Sequence, residues 1–202
     1  EEHTACGYWV GQPGLPTDGL TVSDCRIRNT YADVRTSCTI AFLLLVFHFQ
    51  TTNAFPLGRG DWQGVNLCNG ASNSVVQNSH FRNTGDDSVA TWSPKGQGGT
   101  NANNVIRNVT AQLPWRANCF AVYGGRDHRI EDCRCFDTIS YPGVMINAGF
   151  NANAFDGTTV VRNTNLILAG GPMYQPHTQL FGSLVVWGQQ FDVAEVLISG
   201  LR

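Results

Sequence analysis

Long apolar runs are missing from this chain. The longest, within CTIAFLLLVFHFQ (Cys38–Gln50), is about ten residues from Ile40 to Phe49, half of the roughly 20 that a spanning helix needs. A membrane anchor is therefore not expected. Lys and Glu are scarce while Gly (22 residues), Asn and Thr are plentiful, which disfavours long helices because these residues cost backbone entropy or compete with helical hydrogen bonds. Strong charge is also lacking. A net charge of -2 and a pI near 6.2 give no electrostatic reason for a nucleic-acid or anionic-membrane partner and favour a neutral ligand. No basic segment leading into an apolar core follows Glu1, so no secretory signal is visible. Phosphate-binding loops, nucleophile elbows and Cys/His dyads do not stand out, and His48, His80, His128 and His177 lack ligand spacing. No metal site or cofactor is expected. Seven cysteines (6, 25, 38, 68, 119, 133, 135) without paired Cys-x-x-Cys spacing point to oxidised, extracellular use.

What is present is repetition. Leu20–Thr30, Asn73–Thr84, Asn104–Leu113, His128–Thr138 and Thr159–Leu168 each place apolar residues around an Asn or Asp, then add a short apolar step. With Asp24, Asn78, Asn108, Asp132 and Asn163 taken as equivalent, the intervals are 54, 30, 24 and 31. Short β-branched strands at such a period, with Asn/Gly turns between them, predict an all-β, right-handed parallel β-helix of the pectin-lyase-like kind, in which like residues stack in columns about 4.8 Å apart. One domain over 1–202 is expected. Neither end shows a cap, which reads the chain as a piece of a longer solenoid.

The first interval is too long by about one coil. Leaving out 34–63 reduces it from 54 to 24 and joins Asn29–Asp33 directly to Gly64–Gly70. The codon table allows splice-donor codons at Val34-Arg35, a branch-point sequence at Thr52-Asn53 and an acceptor codon at Gln63. The segment thus reads as a translated, unspliced intron, with a genuine inserted loop as the alternative. Its removal takes away Cys38 and leaves six cysteines.

The chemistry concentrates in Asn83-Thr-Gly-Asp-Asp87. Asp87 stands nine residues after Asn78, as Asp33 stands nine after Asp24, so the two share a column, with Asp86 beside them. Mutual repulsion should raise the pKa of at least one of the three and let it act as an acid while another stays ionised. Glycoside hydrolysis needs that division. Tyr31, Trp92, Trp115, Tyr123 and Tyr141 are candidate platforms for sugar rings, and Arg116 falls in the Asp86 column one coil on.

Tyr31-Ala-Asp33 joined to Gly64-Val-Asn66, followed by Arg82-Asn-Thr-Gly-Asp-Asp87-Ser-Val-Ala-Thr-Trp-Ser93, resembles the catalytic region of glycoside hydrolase family 87, the α-1,3-glucanases or mycodextranases. The resemblance implies a right-handed β-helix, inverting endo-hydrolysis of α-1,3-glucan by aspartates at Asp33, Asp86 and Asp87, a secreted monomer, and a polysaccharide as its partner. Tyr31, Trp92, Trp115, Arg116 and Tyr141 are the expected substrate contacts. A structural calcium is compatible with the family, although no oxygen-ligand loop stands out here. Two alternatives remain open at this point. A polygalacturonase-like enzyme would share the Asp-Asp coil, but Gly124-Gly-Arg-Asp-His128 and Arg129-Ile-Glu131 depart from the motifs it should carry. A non-catalytic polysaccharide-binding β-helix would use the acids only as solvated turns.

Overall fold

The computed structural model describes residues 6–10, 17–28, 36–42, 45–51, 63–174 and 178–202. Tyr31 and Asp33 lie outside them. All the regular structure among the described residues is β. The strands Cys6–Val10, Gln63–Cys68, Val89–Trp92, Phe120–Tyr123, Val144–Asn147 and Leu184–Trp187 form one parallel sheet of six. A second sheet stacks Thr21–Arg28, Val75–Arg82, Val105–Gln112, Arg129–Glu131, Thr158–Arg162 and Glu195–Ser199, also in parallel. The chain alternates between the two sheets, so each circuit lays one strand on each. The architecture is that of a coil stacked upon a coil.

The register reproduces the spacing read from the sequence. Val22 pairs with Val76, Val76 with Ile106, Ile106 with Ile130, and Ile130 with Val161. These residues point inward and are buried, together with Ile27, Phe81, Val65, Leu67, Phe120, Val122, Val144 and Ile146. Two facing apolar surfaces thereby close one core. The recurring Asn/Asp is a bend. Asp24, Asn78, Asn108, Asp132 and Asn163 all adopt φ near +50°, a left-handed conformation that Asn and Asp tolerate better than other side-chain-bearing residues. Their side chains stack on the outside of the solenoid, with Asn108 Nδ2 donating to Asn78 Oδ1 at 2.8 Å and Asn163 Nδ2 to Asp132 Oδ1 at 3.1 Å.

A different set of amides works inside. Asn101 Nδ2 donates to Leu67 O at 2.8 Å while Asn101 Oδ1 accepts from Gly70 N at 2.8 Å. Asn104 repeats the arrangement with Ala71 O and the Ser74 amide. These bonds satisfy backbone groups at a corner where the chain leaves one sheet for the other.

The described part of the apolar run near residue 40 is strand. Thr36–Phe42 and Leu45–Thr51 pair as an antiparallel hairpin, and Thr36–Phe42 lies antiparallel on the outer edge of Thr21–Arg28. Cys119 and Cys135 form a disulfide between successive coils, and Cys25 is disulfide-bonded too. Cys133 remains a buried thiol that donates to Glu131 O at 3.1 Å, and burial pushes it up to about 12.

His128 is 1% exposed and accepts the Asn104 amide on Nδ1 at 3.3 Å. Burial lowers it from 6.5 to about 4. Its neutral form is native, so the unfolded chain binds the extra proton as the pH falls below 6.5. Stability should consequently drop by about 3 kcal/mol between pH 6.5 and 4. Denaturant unfolding across that range should show a shallower loss in His128→Gln; an identical slope in both proteins would refute the assignment.

Candidate active site

The turn 83–88 joins a strand of the large sheet to a strand of the six-stranded one. Asn83 enters it at φ 57°, and the buried Thr84 and Ser88 hydroxyls close it at 2.8 Å. Gly64 of the preceding coil presses against this turn, and any Cβ there would strike Ser88 O and the Phe81 ring. The Gly64 amide donates to Asp87 O at 2.9 Å. From the following coil, the Trp115 amide donates to Thr84 O at 3.0 Å, which brings Arg116 alongside Asp86, and the Ser88 amide donates to Asn118 O at 3.0 Å. The acidic turn is thus held from both sides.

The two carboxylates differ in environment. Asp86 is half-buried and its Oδ1 accepts the Asp87 amide at 2.8 Å. Asp87 is 1% exposed. Its Oδ1 accepts from the Asn118 backbone amide at 3.0 Å and from Asn118 Nδ2 at 2.6 Å, and its Oδ2 accepts the Tyr123 hydroxyl at 2.9 Å. Burial raises the Asp87 pKa, and the three donated hydrogen bonds pull against that rise. Desolvation is therefore the leading cause, where the sequence had suggested repulsion between neighbouring acids. Tyr123 is held well above the ordinary phenol range, first by burial and then by the charges of Asp87 and Asp86.

These groups open onto a cavity of about 280 Å³. Asp86, Asp87, Arg116 and Asn118 supply its polar lining, and Trp92, Tyr123, Tyr141 and Phe150 its aromatic walls. Trp92 Nε1 donates to Phe150 O at 3.1 Å, and the Phe150 ring meets Tyr123 edge-on with centroids 5.2 Å apart. Tyr141 stacks on Phe181 at 5.3 Å. Trp115 is not among the lining residues; its ring packs edge-on against Tyr174 at 5.8 Å. Asn118 and Phe150 carried no chemical signal in the sequence. Asn118 was nevertheless reachable by counting, since it lies 31 residues after Asp87, the same offset that pairs Val89 with Phe120. Among the described residues no three His, Cys, Asp or Glu side chains stand close enough to hold a metal ion.

Fold and cleft together define a stacked-coil β protein with a buried and a half-buried carboxylate on an aromatic-walled groove. Residues 52–179 match the model of the α-1,3-glucanase catalytic domain D2, and the chain belongs to that family. The match begins inside 34–63. Among solved structures, the Agl-KA catalytic domain is 24% identical with a TM-score of 0.77, covering 97% of this chain and 30% of its own, and bears on the fold alone. The catalytic domain of a GH87 α-1,3-glucanase, in complex with tetrasaccharides, is 28% identical with a TM-score of 0.73, covering 98% of this chain and 32% of its own. The catalytic unit of a thermostable GH87 α-1,3-glucanase from Streptomyces thermodiastaticus strain HF3-3 is 23% identical with a TM-score of 0.63, over 96% of this chain and 33% of its own. This chain spans about a third of the length of these structures. GH87 catalytic domains of that description are represented by three single variants, each with alanine in place of one aspartate: the two members of an adjacent pair, and one 23 positions before it. No curated protein matches.

The Tyr141 hydroxyl is raised above 10, first by burial, then by Asp87 and Asp86, while Arg116 lowers it. Asp86→Asn should therefore move its ionisation down and Arg116→Ala should move it up. Phenolate absorbance, referenced to Tyr141→Phe, measures both; shifts in the opposite sense would mean that these side chains do not share one cleft.

Proposed function

We propose that this chain is the acid-bearing part of a secreted, monomeric glycoside hydrolase that cuts α-1,3-glucan internally with inversion, on a right-handed parallel β-helix. One observation carries the reading: two adjacent carboxylates in different environments open onto one aromatic-walled cavity. Family membership and the saccharide complexes of the related catalytic domains support the choice of substrate. The third aspartate of the reading is Asp33, which precedes Asp86 by 23 positions once 34–63 is left out, the spacing found among the substituted aspartates of the relatives.

The two environments suggest a division of roles. Asp87 accepts three hydrogen bonds, an arrangement that suits an ionised carboxylate and hence a base. It takes a proton from a water, whose oxygen attacks the anomeric carbon as the glycosidic C–O bond breaks. Asp86, facing the cleft, gives its proton to the departing oxygen and ends ionised. Inversion requires the acting carboxyl groups to stand about 6.5–9.5 Å apart with water between base and sugar. An uncharged glucan suits this lining, because among the described residues Arg116 is the one cation that shares it with two acids and an acidic polymer would be repelled. That argues against the polygalacturonase-like reading.

Asp86→Asn and Asp87→Asn should each cut reducing-sugar release from α-1,3-glucan by about 10²–10⁴-fold, with the initial product in the β configuration by proton NMR. Activity unchanged in both variants would take these two acids out of the reaction, no sugar release by the wild-type protein would favour a binding module, and an α product would exclude inversion.

We further propose that 34–63 is a translated intron. Deleting it should leave the glucan-cleaving activity at least as high as in the chain that carries it, and loss of activity on deletion would make the hairpin a working loop.

A further inference from the structure

We propose that Asn118 and Tyr123 are positioning residues that hold the Asp87 carboxylate ionised and direct one oxygen, Oδ2, to the proton it takes up; this rests on the hydrolase reading above. The geometry is a closed ring. Asn118 uses its backbone N–H and one Nδ2 hydrogen on Asp87 Oδ1, at 3.0 and 2.6 Å, which engages both lone pairs of that oxygen. The second Nδ2 hydrogen points to Tyr123 Oη at 3.1 Å. With its acceptor side taken, the phenol has its own hydrogen left for Asp87 Oδ2, at 2.9 Å. One lone pair on Oδ2 remains among the described contacts, and a proton from water goes there.

The ring spans two coils, because Asp87 sits on one turn while Asn118 and Tyr123 belong to the next. All three residues are at least nine-tenths buried, so water does not compete for these bonds. Other titratable or charged groups surround the cleft: Asp86 beside Asp87 in the turn, Arg116 from the following turn, and Tyr141 one coil further. Asp86 makes proton uptake at Asp87 easier and Arg116 makes it harder, so a variant of the ring must leave these three in place. The Tyr123 hydroxyl stays protonated throughout the range in which a carboxylate titrates, and so remains a donor whenever Asp87 is ionised.

Tyr123→Phe keeps the ring against Phe150 and removes the donated hydrogen bond. Loss of a hydrogen bond to a charged group should raise the Asp87 titration by about one pH unit, read by carboxyl carbon NMR on the protein without ligand. The acid limb of kcat/KM on α-1,3-glucan should move up by the same amount, with KM unchanged. Asn118→Ala should shift both in the same direction and carries the test if Tyr123→Phe does not give a native thermal transition. A merely structural role would lower the melting temperature and leave the titration still. An Asp87 titration unmoved in both variants overturns the proposal. If the titration moves but the wild-type chain releases no sugar, the positioning pair stands and the hydrolase reading is the one that fails.

Discussion

Parallel backbone pairing between successive coils is the constraint from which the rest of this molecule follows. It stacks Val22, Val76, Ile106, Ile130 and Val161 into one inward column, and it repeats the left-handed bend at Asp24, Asn78, Asn108, Asp132 and Asn163. The same register joins the acidic turn 83–88 to the turn that carries Asn118, through the Ser88 N–H to Asn118 O bond. Slipping the pairing by one residue would set Ala117 or Cys119 opposite Asp87, and neither has an amide side chain to offer. The site is thus a consequence of register and needs no separate scaffold.

Two buried carboxylates in this fold are handled in opposite ways. Glu131 is met by cations, with Arg162 at 3.1 Å and Arg129 at 3.7 Å, the usual means by which a buried charge is tolerated. Asp87 is met instead by two amide N–H groups and a phenol, all neutral. These neutral donors favour the ionised form but offset only part of the desolvation cost, and its pKa stays raised. A guanidinium in the place of Tyr123 would have favoured the charged form strongly and removed that poise.

Much of this was legible in the sequence because the coil repeat is written locally. The intervals of 30, 24 and 31 between equivalent Asn/Asp residues reappear as the strand registers, since a left-handed bend restricts which residues can occupy it. Arg116 lines one cavity with Asp86 and Asp87, as its place in the Asp86 column suggests, while Trp92 and Tyr141 lie on strand ends and turns that the columns did not address. What the sequence hid depends on which way a side chain leaves a turn. Columns placed Trp115 beside the acids, yet its ring turns to Tyr174. They gave no reason to prefer Asn118 over other asparagines, and they could not separate burial from repulsion as the first cause at Asp87. The hairpin of 36–51 escaped the periodicity because it pairs antiparallel at the sheet edge, where no coil repeat applies.

The aromatic wall of the cleft has its own origin in the alternation of a strand. Along Val89–Trp92, Val89 and Thr91 face the interior, so Ala90 and Trp92 face outward; on the next coil Ala121 and Tyr123 take the same places. Ala90 pairs with Ala121, which pairs with Met145, and these side chains pack together beside Trp92 and Tyr123. Burial of both alanines comes from the cover of their larger neighbours. Strand pleating therefore sets which aromatic side chains face the groove, and turn register sets its acids.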